Sequence, residues 1–115
     1  MVDVEALITQ WRRYASANRC HSECEHRKGD VFAAELCWAR GEVRQAAADM
    51  LTSLRADPMT AARNMHRNAR ELRQHHWPFA DFDQTALKYT RARTWQDCAW
   101  ALDPTLPEIQ PILTE

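Results

Sequence analysis

Apolar residues recur along this chain at intervals of three and four rather than two, the spacing of one helix face. The series Val4, Leu7, Ile8, Trp11, Tyr14 and Ala15 predicts a first helix, capped by Asp3 and running at least to Asn18. Its apolar face fades in the polar stretch 20–28, and Lys28-Gly29-Asp30 reads as a stop followed by a new cap. A second helix is predicted from about Val31 to Arg55. There Phe32, Leu36, Ala39, Val43, Ala46, Met50 and Leu54 fall within about 80° of one another at 100° per residue. Gly41 interrupts it at a cost of ~1 kcal/mol relative to alanine, which a close helix–helix approach would explain.

Asp57-Pro58 reads as a cap followed by the first helical position, where proline's missing donor does no harm. A third helix then runs to about His76, with Ala62, Met65, Ala69, Leu72 and His76 inward, and Pro78 closes it. The connection 77–83 is unusually aromatic and is expected to plug one end of the core. Asp81 or Asp83 caps a fourth helix, from about Gln84 to Leu102, with Leu87, Thr94, Cys98 and Leu102 inward. Prolines 104, 107 and 111 predict an extended tail.

Four amphipathic helices enclose a shared core by packing laterally, so the expected fold is all-α. It is a compact bundle of about four helices over residues 1–103, with an extended, proline-containing acidic tail over 104–115. The chain has 115 residues, one domain's length, and two glycines, too few for a hairpin-rich β architecture or a phosphate-cradling glycine loop. At 45% hydrophobic and 27% charged it carries enough apolar material to fold.

The longest uncharged stretch is the seven residues Gln74–Ala80, so no membrane span is expected. The start MVDVEALITQW lacks the basic opening and long apolar run of a signal peptide, which predicts a cytoplasmic protein with its four cysteines as thiols. Thirteen arginines against two lysines fit GC-rich codon usage, bacterial or phage.

Candidate chemistry is sparse. Cys20, Cys24, His26 and Cys37 are the ligand types of a zinc site, but the C-x-x-C spacing and glycine turns of such sites are missing, and no metal is favoured. The four cysteines match no iron–sulfur spacing, and His75 and His76 point about 100° apart on a helix. No serine stands in an elbow motif and no base is placed to activate a thiol, so no enzyme and no cofactor are expected.

Two surface patterns remain. On the third helix Arg63, Arg67, Arg70 and Arg73 occupy an arc of about 120° opposite Met65 and Leu72. Such a stripe suits phosphates or an acidic partner. The chain's own acidic end, Asp97, Asp103, Glu108 and Glu115, is a candidate to lie across it. Against nucleic acid stand a net charge of −1 and the absence of a short glycine turn. The second pattern is aromatic: Trp38 lies off the second helix's apolar face, and Tyr89, Arg93 and Trp100 form a stripe nearly opposite Leu87 and Cys98. Trp, Tyr and Arg dominate interface energetics. The sequence therefore predicts a small non-enzymatic interaction protein, an adaptor or inhibitor, binding another protein through these positions, with self-association as a homodimer included. Nucleic-acid binding through the third helix is the alternative.

Overall fold

Each helix begins where an aspartate can accept a backbone N–H that the helix cannot satisfy internally. The computed structural model describes residues 2–74 and 81–109. Within it α1 spans Val4–Arg27, α2 Val31–Ser53, α3 Pro58–Gln74 and α4 Phe82–Leu102. Asp3 accepts from Ala6, Asp30 from Ala33, Asp57 from Thr60 and Asp81 from Gln84. The Gln84 side chain reaches back to the Asp81 N–H, closing a capping box two residues earlier than the apolar pattern suggested.

The polar stretch after Asn18 continues α1 to Arg27. Buried Ser22 holds it to α2 by donating to the Ala34 carbonyl at 2.7 Å, which an apolar-periodicity reading does not detect. Gly29 then takes φ 86°. The Asp30 N–H bonds Glu25 and the Gly29 N–H bonds His26, the paired closure in which a residue without Cβ is favoured. Of the third helix's inward set, His76 lies outside the described residues, as do His75 and the aromatic connection up to Ala80.

The fold is an all-α bundle of four helices. α1 pairs with α2, α3 pairs with α4, and the two hairpins join chiefly through α2 and α4. The order across the bundle is therefore α1–α2–α4–α3, and the molecule is a slab of 41 × 39 × 18 Å. This order corrects the single inward face expected for α2. Its buried residues form two stripes: Ala34, Gly41 and Ala48 at sevenfold spacing, and Ala39, Val43 and Ala47 at fourfold spacing on roughly the opposite side. A helix with a neighbour on each flank has two buried sides: on the expected face Ala39 and Val43 are buried, Phe32, Leu36, Met50 and Leu54 half-buried and Ala46 exposed, and the Ala34, Gly41 and Ala48 side is an addition to it. α4 repeats the pattern, burying Thr94, Cys98 and Leu102 on one side and Ala92, Gln96 and Ala99 on another. On the outer helix α1 the buried stripe is narrow, and Tyr14, expected inward, stands about 90° off its centre and is exposed.

Ten of the eighteen buried hydrophobic residues are alanine, which lets the helix axes approach closely and makes the core thin. A methyl on Gly41 would come within 3.2 Å of the Ala15 carbonyl oxygen and of Asn18 Cβ. The large buried side chains Ile8, Trp11, Leu51, Met65 and Leu102 share one cluster at the end where α2 hands over to α3. Toward the opposite end the buried positions are mostly small: Ala34, Ala39, Ala69 and Ala92.

The start of the tail is not extended. Asp103 and Leu106 close a turn, Leu106 packs against the core cluster, and Ile109 is buried. The Trp100 indole donates to the Leu106 carbonyl at 2.9 Å, and His66 contacts the Pro107 carbonyl at 2.9 Å. Residues 104–109 are thus part of the packed structure. No helix among the described residues is long and apolar enough to cross a membrane.

Candidate interaction surfaces

At the alanine-rich end of the slab three large apolar side chains are exposed. Val31 is 50% exposed, Trp38 46% and Phe82 79%. The Phe82 ring meets Phe32 with centroids 6.5 Å apart, tying the start of α4 to the start of α2. Beside them an open groove of about 330 Å³ runs between α1, α2 and α4, with Val31, Ala34, Trp38 and Leu87 supplying apolar walls. His26, Glu35 and Arg91 give it a polar rim of mixed sign.

Trp38 is held in place rather than free to rotate. Its indole N–H donates to Glu42, whose other carboxylate oxygen accepts from Arg91 at 2.8 Å. The Arg91 hydrogen bond is the main reason the Glu42 carboxyl is held below the usual carboxylate range, so the clasp is charged at neutral pH. Phe82 was expected to plug the core. It lies on the surface instead, because the cap falls at Asp81 and Phe82 becomes the first helical residue, projecting beyond the packed layer.

The other predicted aromatic positions do not join this patch. Tyr89 and Arg93 each follow Leu87 and Arg91 by two residues, about 200° round α4, and so lie on the other broad side of the slab. Trp100 is half-buried, its N–H spent on Leu106 and its ring under the Arg93 guanidinium at 5.4 Å, while Arg93 also pairs with Asp97 at 3.1 Å. Tyr89, 39% exposed, lies beneath Arg73 at 5.2 Å.

The arginine stripe divides in the same way. Arg63, Arg67 and Arg70 are exposed on α3, whereas Arg73, at the stripe's edge, is half-buried and turned toward α4. Arg63 donates to Thr60 and lies in the electrostatic field of Asp57 and Asp103. Of the described acids of the expected acidic end, Asp97 pairs with Arg93 and Asp103 accepts from the Thr105 N–H and hydroxyl, while Glu108 is exposed.

The zinc candidates are not gathered. Cys20 and Cys24 lie exposed on α1, His26 about 200° further round that helix, and Cys37 half-buried on α2. Among the described residues no three His, Cys, Asp or Glu side chains converge as metal ligands would.

Sequence reasoning missed two groups. Leu87 and Arg91 join Val31 and Trp38 in one groove, and Phe82 meets Phe32, only because α2 and α4 are neighbours. Arg40 and Arg44, four apart on α2, meet Arg73 and Arg93 across three helices in a second open pocket of about 300 Å³. Their like-charge spacing on a helix otherwise rich in alanine was the available signal.

Neither a family model, nor a curated protein, nor a solved structure matches this chain.

Proposed function

We propose that this protein is a non-enzymatic interaction module that binds another protein through the Trp38 face. The observation that carries this reading is the exposure of Val31 and Trp38 in the wall of an apolar groove, at the end where the buried positions are mostly alanine. Large rings left in water forgo burial worth about 1.5–3 kcal/mol each, which a partner recovers. The Glu42 clasp fixes the Trp38 indole beforehand, lowering the entropy cost of docking. A groove with apolar walls and a rim of both charge signs suits an amphipathic segment that inserts one or two large apolar side chains. Arg63, Arg67 and Arg70 support the alternative of nucleic-acid binding on a different surface.

The test is affinity capture from the native host with the intact chain, Trp38→Ala, and the pair Arg67→Gln/Arg70→Gln, each at low and high salt. Light scattering of the purified chain runs in parallel. The expected result is a stoichiometric protein partner that survives high salt and is lost with Trp38→Ala alone. A bound nucleic acid that is released by salt and by the arginine pair would overturn the proposal. A dimer that Trp38→Ala dissociates would instead make the partner a second copy of this chain.

A further inference from the structure

The second pocket is rich in donors and poor in acceptors. Arg40 and Arg44 from α2, Arg73 from α3 and Arg93 from α4 line it around the Tyr89 ring, and Asp97 is the one acid in its wall. A guanidinium carries five N–H donors, so four of them bring about twenty. Among the described residues the acceptors they meet are Asn18 Oδ1, 2.6 Å from Arg44, and Asp97 Oδ1, 3.1 Å from Arg93. Arg44, Arg73 and Arg93 instead lie over aromatic rings, those of Tyr14, Tyr89 and Trp100. The Arg73 Nε is buried with no hydrogen-bond partner, and Arg40 pairs with no acid among the described residues. A buried unpaired donor is costly to maintain and is relieved by an incoming acceptor.

We propose that this pocket binds the phosphate group of a small phosphate monoester. Four positive charges against one carboxylate call for an anion, and arginines that line one pocket from three helices suit a tetrahedral dianion better than a planar carboxylate, which occupies a single fork. The volume, about 300 Å³, is at the small end of ligand sites, and the half-exposed Tyr89 ring offers an apolar contact to the organic part of the ester. The site lies on the side of α4 opposite the Trp38 groove, so it does not depend on the protein-binding reading.

Isothermal titration of the full chain with phenyl phosphate, inorganic phosphate, acetate and a short single-stranded oligonucleotide tests the assignment. Phenyl phosphate is expected to saturate one site, inorganic phosphate to bind the same site more weakly, and acetate not to bind. Arg40→Gln, which breaks no hydrogen bond or ion pair among the described residues, should weaken phenyl phosphate about tenfold or more, and Arg73→Lys should do the same by losing the fork while keeping the charge. Trp38→Ala should leave the affinity unchanged. The proposal falls if phenyl phosphate fails to saturate, if Arg67→Gln weakens it as much as Arg40→Gln, or if the oligonucleotide binds while both phosphate compounds do not.

Discussion

Replacing Gly41 with alanine sets two effects of similar size against each other. Alanine is the better helix former by about 1 kcal/mol, so on an isolated α2 the change would stabilise. In the bundle the new methyl meets the Ala15 carbonyl oxygen and Asn18 Cβ, both at 3.2 Å. Carbon contacts are optimal near 3.5–4.0 Å, and neither neighbour is the end of a flexible side chain that can swing aside. The relief available is to move α1 and α2 apart by a few tenths of an ångström, which loosens contacts along the whole Ala15, Ala34 and Ala48 seam. Overpacking of this kind costs about 1–3 kcal/mol, leaving a net destabilisation of about 1 kcal/mol. For a domain of this size that is about 4 °C in Tm, readable by thermal denaturation followed by circular dichroism. Gly41→Val should lose about 3 kcal/mol, because a branched side chain adds bulk against the same backbone. Ala46→Gly, at an exposed position of α2, isolates the propensity effect and should cost about 1 kcal/mol. A Gly41→Ala protein melting above the parent, with Gly41→Val no worse, would refute the close-approach argument.

Two further predictions concern titration. Burial pushes the Cys98 thiol up to about 12, from an ordinary value near 9. The folded state therefore disfavours the thiolate, and this contribution is complete below pH 9 and is lost as pH rises toward 12. Cys98→Ala should flatten the alkaline loss of stability, and a thiol reagent at pH 8 should label exposed Cys20 and Cys24 quickly but Cys98 only after denaturant is added. Asp57 is shifted the other way: hydrogen bonds from the Thr60 hydroxyl and N–H hold its carboxyl below the usual range. Its contribution is present above the unfolded carboxylate value and is lost as pH falls through the folded one. Asp57→Asn keeps an acceptor at the start of α3 and should lower stability somewhat at neutral pH while flattening its loss in acid. An unchanged acid limb would rule Asp57 out as a source.

Where the chain turns is a local matter, and it was legible. Asp3, Asp30, Asp57-Pro58 and Asp81 announce helix starts because an N-cap acts on backbone donors two or three residues away, within reach of a sequence window. Gly29 announces a stop for the same reason. Sidedness was legible for the outer helices α1 and α3, each with one neighbour of consequence and therefore one apolar face, Tyr14 excepted. For α2 and α4 the interior is mostly alanine, which carries little amphipathic contrast, and two flanking helices bury two stripes at once. A search for one hydrophobic face consequently found the Ala39 and Val43 stripe, with Phe32, Leu36, Met50 and Leu54 on the same side, and missed the Ala34, Gly41 and Ala48 stripe that faces α1.

By itself the sequence determined the helix count, the caps and the presence of more aromatic and arginine side chains than an alanine-based interior can absorb. Which of those side chains stand together was decided by the tertiary order α1–α2–α4–α3. Placing α2 beside α4 brings Phe82 to Phe32 and Trp38 to Arg91, while the fold-back at 103–109 withdraws Trp100 from the surface. The same order gathers Arg40, Arg44, Arg73 and Arg93 from three helices into one pocket. The physical reason is that helical periodicity reports the direction of a side chain about its own axis, whereas a binding surface depends on which axes lie side by side.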